Sequence, residues 1–121
     1  MARLLIIEDE PLVRHTVRTI LARDGHLIIE AENGARGLAQ LAQNDVDLVL
    51  TDLIMPGSEG IETIQQIRRL YPQLKVVAMS GTGASNLYLD AASKLGANAI
   101  LQKPFAPAKL RETVARVLSN I

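Results

Sequence analysis

The strongest constraint on how this chain folds is an alternation. Short, unbroken apolar runs follow one another along its length, and a stretch with helical spacing separates each from the next. The runs are Leu4–Ile7, Leu27–Ile29, Leu48–Leu50, Val76–Met79 and Ala99–Leu101. Continuous apolarity is what a strand buried on both faces requires. Val13, Val17, Ile20 and Leu21 share one face of a helix over residues 11–24, with Pro11 suited to its first turn and Gly25 to its stop. Leu38, Leu41 and Ala42 do the same over 34–43, where Gly34 and Gly37 weaken the helix. Ile61, Ile64, Ile67 and Leu70 define a helix over 59–70 that Tyr71-Pro72 ends. Leu87, Ala91 and Leu95 define one over 84–95 that stops at Gly96, and Leu110, Val114, Val117 and Leu118 one over 106–119. Five βα units predict a doubly wound α/β fold, a parallel sheet with helices on both faces. Right-handed crossovers then place every strand's carboxyl end on one edge, where ligands of such sheets bind. The alternation leaves the strand order open.

What ends each run is equally informative. Leu4–Ile7 runs into Glu8 and Asp9, Leu48–Leu50 into Thr51 and Asp52, Val76–Met79 into Ser80, and Ala99–Leu101, one residue later, into Lys103 and Pro104. On one sheet edge this brings together three carboxylates, a hydroxyl and an ammonium. Two unit charges ~4 Å apart repel by about 4 kcal/mol at an effective dielectric near 20. The acids therefore need a counter-charge or must take up protons. A hard divalent cation such as Mg²⁺ meets that need with carboxylates, waters and phosphate oxygens. Lys103 adds a fixed positive charge. Asp52 is then a candidate nucleophile toward a phosphoryl group, forming an acyl phosphate, with Ser80 and Lys103 on its oxygens.

Composition narrows the alternatives. The 121 residues point to one domain over 1–121, and 48% hydrophobic content excludes a disordered tail. Lys plus Arg and Asp plus Glu both total 13, so the basic excess usual in nucleic-acid binders is absent. Tyr71, Tyr88 and Phe105 are the only aromatics, too few for a base-stacking platform. No cysteine is present, which removes disulfides and thiolate metal sites. No run approaches the ~20 apolar residues of a membrane span, nor the ~7–15 of a secretory segment. The expectation is a soluble cytoplasmic protein without direct nucleic-acid or membrane binding.

The stretches Leu4-Leu5-Ile6-Ile7-Glu8-Asp9-Glu10, Leu48-Val49-Leu50-Thr51-Asp52-Leu53-Ile54-Met55-Pro56-Gly57 with Gly60 after it, Val76-Val77-Ala78-Met79-Ser80-Gly81, and Gly96-Ala97-Asn98-Ala99-Ile100-Leu101-Gln102-Lys103-Pro104-Phe105 stand in a telling order and spacing. With them the chain resembles, over essentially its full length, the receiver domain of bacterial two-component response regulators, stand-alone and chemotaxis-like or excised from a longer regulator. The resemblance implies a flavodoxin-like fold with five parallel strands in the order 2-1-3-4-5 and five helices. It implies that Asp52 accepts a phosphoryl group from a phosphohistidine on a sensor histidine kinase or histidine phosphotransfer protein. Asp9 and Asp52 would ligate Mg²⁺ directly, Glu8 mostly through water, and the Ile54 backbone carbonyl would complete the protein ligands. Ser80 and Lys103 would hold phosphoryl oxygens, and the Lys103-Pro104 bond would be cis. Phosphorylation would switch a surface that binds a downstream protein. Such a domain catalyses its own phosphorylation and dephosphorylation and turns over no metabolite, so it is not classed as an enzyme.

Three positions depart from the family's commoner pattern. Ile100 stands where an aromatic ring usually turns inward on phosphorylation, which predicts a smaller or different rearrangement. Ile54 and Thr82 stand where dephosphorylation is tuned, and an apolar Ile54 cannot orient an attacking water, which predicts a long-lived phosphoryl group. Ser80-Gly81-Thr82-Gly83 lacks the G-x-x-x-x-G-K-[ST] pattern of a phosphate-cradling loop and is read as a hinge. His15 and His26 are read as ordinary surface residues, Leu12 as a candidate contact for the phosphohistidine partner. Lys109, Arg111, Glu112 and Arg116 are read as a solvated helix face. Two rival functions remain: a metal-dependent phosphotransferase or phosphatase with Asp52 as turnover nucleophile, and a binding module that is never phosphorylated. Against the first, one large class of such enzymes carries an acid where Ile54 stands; against the second stands the full set of Glu8, Asp9, Asp52, Ser80 and Lys103.

Overall fold

A computed structural model describes residues 2–55, 58–81 and 93–119. Its elements follow the chain as β1 (Arg3–Ile7), α1 (Pro11–Ala22), β2 (Leu27–Ala31), α2 (Gly34–Gln43), β3 (Leu48–Asp52), β4 (Ile54–Met55), β5 (Ser58–Glu59), α3 (Gly60–Leu70), β6 (Lys75–Ser80), β7 (Ala99–Gln102) and α4 (Pro107–Ser119). Five strands form one sheet in the order β2-β1-β3-β6-β7, every pair parallel. Numbered by their place in the chain, these strands read 2-1-3-4-5, the expected flavodoxin-like order. The described residues hold four helices, not five; the helix expected over 84–95 lies mostly outside them. Sequence patterning misses the β4–β5 pair, because two-residue strands carry no periodicity.

The side-chain period of two sorts the strands onto two faces. Leu4, Ile6, Leu48, Leu50, Val77, Met79 and Leu101 pack with Val17 and Leu21 of α1 and with Leu110, Val114 and Val117 of α4. Leu5, Ile7, Val49, Val76 and Ala78 pack on the other side with Leu41 of α2 and Ile64 and Ile67 of α3. The two glycines that weaken α2 as an isolated helix serve its packing: both are buried, and a Cβ on Gly37 would drive into the Ile7 side chain. Asn33 caps α2 by accepting the Arg36 N–H at 2.8 Å.

Tethers fix the helices at the sheet's ends. Arg111 is not merely solvated: its Nε and Nη2 hold the Asp24 carboxylate at 2.8 to 3.1 Å, which ties α4 to the turn after α1. This pairing holds the Asp24 carboxyl below its ordinary value. His26 is half-buried, and its Nδ1 accepts the Ala2 N–H at 3.1 Å, so it is not the plain surface residue its sequence position suggests. His15 is exposed. Among the described residues no helix is long and apolar enough to cross a membrane.

Candidate acid site at the carboxyl edge

The register puts the polar ends of neighbouring strands side by side. Ile7 pairs with Thr51 and Asp52 with Met79, so Glu8 and Asp9 leave β1 next to the end of β3. Ser80 pairs with Gln102, one residue before Lys103, and the Lys103 N–H donates to the Ser80 carbonyl at 2.7 Å. The Lys103-Pro104 bond is cis. The order β1-β3-β6-β7 thus brings Glu8, Asp9, Asp52, Ser80 and Lys103 to one edge.

One carboxylate oxygen from each of Glu8, Asp9 and Asp52 lies within 4.8 Å of the other two. Glu8 and Asp52 are buried and Asp9 half-buried. Lys103 Nζ donates to Glu8 Oε1 at 2.5 Å and stands 3.4 Å from Asp52 Oδ2. The second Glu8 oxygen accepts the Glu10 N–H at 3.2 Å. Burial raises the Glu8 carboxyl from its ordinary 4.5 to about 7; the Lys103 hydrogen bond pulls against this, and the Asp52 charge pushes with it. Burial works against the Lys103 charge, but the hydrogen bond to Glu8 and the two carboxylates outweigh it and raise the ammonium's pKa. One lysine therefore faces three acids, an excess of negative charge that invites a cation. An all-oxygen donor set of this span has the chemistry that a hard divalent ion takes.

Three further features shape the site. Ser80 is buried, and its Oγ lacks a hydrogen-bond partner among the described residues. A buried hydroxyl left in that state costs about 1–3 kcal/mol, which a bound oxygen would recover. Gly60 opens α3 directly over the end of β3: its N–H donates to the Leu53 carbonyl at 2.8 Å, and a Cβ there would overlap the Asp52 carbonyl oxygen and lie 2.7 Å from the Leu53 carbonyl carbon. Only glycine fits at that position. The Thr51 hydroxyl donates to the Asp52 carbonyl at 3.1 Å.

Ile54 lies on β4, next to the site by chain connection. Ile100 sits in β7 opposite Ala78, packed against the α2–α3 side of the core. Thr82 lies outside the described residues. Leu12 is 77% exposed on the first turn of α1. Sequence reasoning missed Arg14 and Glu30. Arg14 donates from Nη1 to the Glu8 carbonyl at 2.8 Å, and its Nε lies 3.4 Å from Glu30 Oε1. Their only signal in the sequence is a charge on the inner flank of an amphipathic helix and another inside an apolar strand.

Residues 4–115 match the family model described as "Response regulator receiver domain". The chain is 30% identical to the chemotaxis protein CheY of Bacillus subtilis over 118 residues, 97% of this chain and 98% of that protein. It is 36% identical to the transcriptional regulatory protein ResD of the same organism over 117 residues, 95% of this chain but 46% of that protein. Among solved structures, a CheY-like response regulator receiver domain protein from Methanospirillum hungatei superposes with a TM-score of 0.92 at 28% identity, covering 98% of this chain and 94% of that one.

Proposed function

The chain belongs to the response regulator receiver domain family, phosphoacceptors of two-component signalling, and on that premise we propose that Asp52 is its phosphoacceptor. The donor is a phosphohistidine on a sensor histidine kinase or a histidine phosphotransfer protein. An Asp52 carboxylate oxygen forms the new bond to phosphorus as the phosphorus–nitrogen bond breaks, and the departing imidazole takes up a proton from solvent. The observation that carries this reading is the Ser80 hydroxyl, buried on the edge that Asp52 shares and unpartnered among the described residues. It suits an oxygen of the transferred group.

Lys103 is 3.4 Å from Asp52 Oδ2, close enough to pair with a second phosphoryl oxygen once that group is attached. Glu8, Asp9, Asp52 and the Ile54 carbonyl would hold Mg²⁺, which supplies charge neutralisation on the phosphoryl oxygens. Burial of Asp52 keeps bulk water from the carboxylate, and Gly60 lets the backbone close over it. The exposed Leu12 is offered to the phosphohistidine partner. The reaction is the domain's own phosphorylation and dephosphorylation, with no metabolite turned over. Its product switches a surface for a downstream protein, and the domain acts in the cytoplasm.

The test treats the chain with a small acyl phosphate and Mg²⁺ and follows base- and hydroxylamine-labile label by mass. One phosphoryl group is expected on the parent and none on Asp52→Asn. Label that persists in the variant, or never appears on the parent, refutes the assignment. Steady release of phosphate from a small phosphate ester would instead favour a turnover phosphatase.

A further inference from the structure

Arg14 differs from Arg18, the other arginine of α1, in what it spans. Its guanidinium reaches the Glu8 carbonyl oxygen at the end of β1 with Nη1, at 2.8 Å, and Glu30 Oε1 on β2 with Nε, at 3.4 Å. Its side chain is 20% exposed, against 50% for Arg18 on the next turn. Glu30 lies opposite Ile6 in the sheet and also takes Arg18 Nη1, so it is an anion held in place by two cations and a strand. Every other polar group of Glu8 is engaged as well. Its N–H donates to the Ala31 carbonyl at 3.0 Å, Oε1 accepts Lys103, and Oε2 accepts the Glu10 N–H. The Glu8 carbonyl belongs to the peptide plane that carries Asp9. Holding that oxygen sets the direction in which Asp9 leaves β1.

We propose that Arg14, anchored by Glu30, is a positioning residue for the acid site: it fixes the Glu8–Asp9 peptide so that the Asp9 carboxylate is presented with Asp52 to the divalent cation. The inference rests on the reading of Glu8, Asp9 and Asp52 as the Mg²⁺ site. The geometry calls for a planar guanidinium that donates to the Glu8 carbonyl from one nitrogen while another pairs with the Glu30 carboxylate, which lysine does not supply. It also separates three roles by sign. A through-space effect of the Arg14 charge would oppose a cation, so removing it would tighten Mg²⁺ binding. A purely structural role would lower stability and leave Mg²⁺ binding alone. Positioning predicts weaker binding in the absence of the charge that should have opposed it.

The experiment titrates Mg²⁺ into the unphosphorylated chain and follows the backbone amide resonances of Asp9 and Leu53. It compares the parent with Arg14→Ala, Arg14→Lys, Glu30→Gln and the Arg14→Ala/Glu30→Gln double variant. Arg36→Ala, whose side chain pairs on the surface with Glu32, is the control. Arg14→Ala is expected to weaken Mg²⁺ by roughly tenfold or more, the range usual for residues that orient metal ligands. Arg14→Lys should lose nearly as much and Glu30→Gln less. The double variant should be no weaker than Arg14→Ala, because the two residues act as one unit. Phosphorylation by an acyl phosphate should return close to the parental rate when Mg²⁺ is saturating. Unchanged or tighter Mg²⁺ binding in Arg14→Ala, or fully additive losses, overturns the inference while leaving the Asp52 assignment intact. If Arg14→Ala does not fold, Arg14→Lys and Glu30→Gln decide by the same criterion. A parent that binds no Mg²⁺ overturns the metal reading and this inference together.

Discussion

Glu8 is a carboxylate whose surroundings oppose its charge, and its proton should report on the site. Its ordinary value of 4.5 rises to about 7 through burial. Between those two values the folded chain keeps a proton that the unfolded chain has released, so stability falls as pH rises through that window. The contribution is fully present below about 4.5 and gone above about 7. Urea unfolding of metal-free protein between pH 5 and 8 should show this decline, and Glu8→Gln should flatten it. Because the same proton competes with a cation, apparent Mg²⁺ affinity should climb with pH up to about 7 and level off beyond it. A pH-independent Mg²⁺ affinity would contradict the placement of Glu8 beside the ion. Ile54 yields a second prediction at this scale. An aliphatic side chain offers no hydrogen bond to a hydrolytic water, so Ile54→Asn should shorten the lifetime of the phosphorylated protein several-fold, measured by loss of label. Slower decay in the variant would refute the role of this position.

At the level of elements, each part of the site depends on how a strand hands over to a helix. β1 ends at Ile7 and runs into Glu8-Asp9, and α1 begins at Pro11, so Arg14 reaches back to the segment that links the strand to its own helix. β3 ends in Asp52, and α3 starts at Gly60 packed directly on the Asp52–Leu53 backbone. Gly60→Ala has no room: the methyl group would displace backbone rather than the end of a flexible side chain. We expect a stability loss of about 1–3 kcal/mol, as for overpacking elsewhere, with at least a tenfold slower phosphorylation. Gly81→Ala, with nothing within 4 Å of its Cβ, should leave thermal unfolding unchanged. Equal effects at the two glycines would refute this account. Five strands and four helices were legible from periodicity because a buried strand needs an unbroken apolar run and a helix on a sheet needs a stripe. The β4–β5 pair was not, since two residues per strand hold no pattern, and the bridging by Arg14 was not, since its two partners, Glu8 and Glu30, are 22 residues apart in the chain.

At the scale of the whole molecule, the remaining question is how events at Asp52 reach a distant surface. Ile100 lies in β7 beside β6, the strand that ends in Ser80, and lines an open groove of about 530 Å³ with Phe105 and Lys109. An aliphatic side chain already packed on the core has no ring to swing inward, so the face around Ile100 should move little on phosphorylation. Amide and methyl resonances of that face, recorded with and without a phosphoryl analogue, are expected to show small shifts next to those of Asp52 and Ser80; a large inward displacement of Ile100 would refute this. By itself the sequence determined the class of fold and the identity of the edge residues, because burial on two faces and the end of a buried run are local properties of the chain. Strand order, which the alternation alone left open, was supplied by the family resemblance; the 4.8 Å convergence of three acids, the Ser80 hydroxyl left unpartnered among the described residues and the Arg14–Glu30 pairing were decided only in three dimensions. Each depends on which strands lie side by side, and parallel strands are joined through helices long enough to permit more than one order.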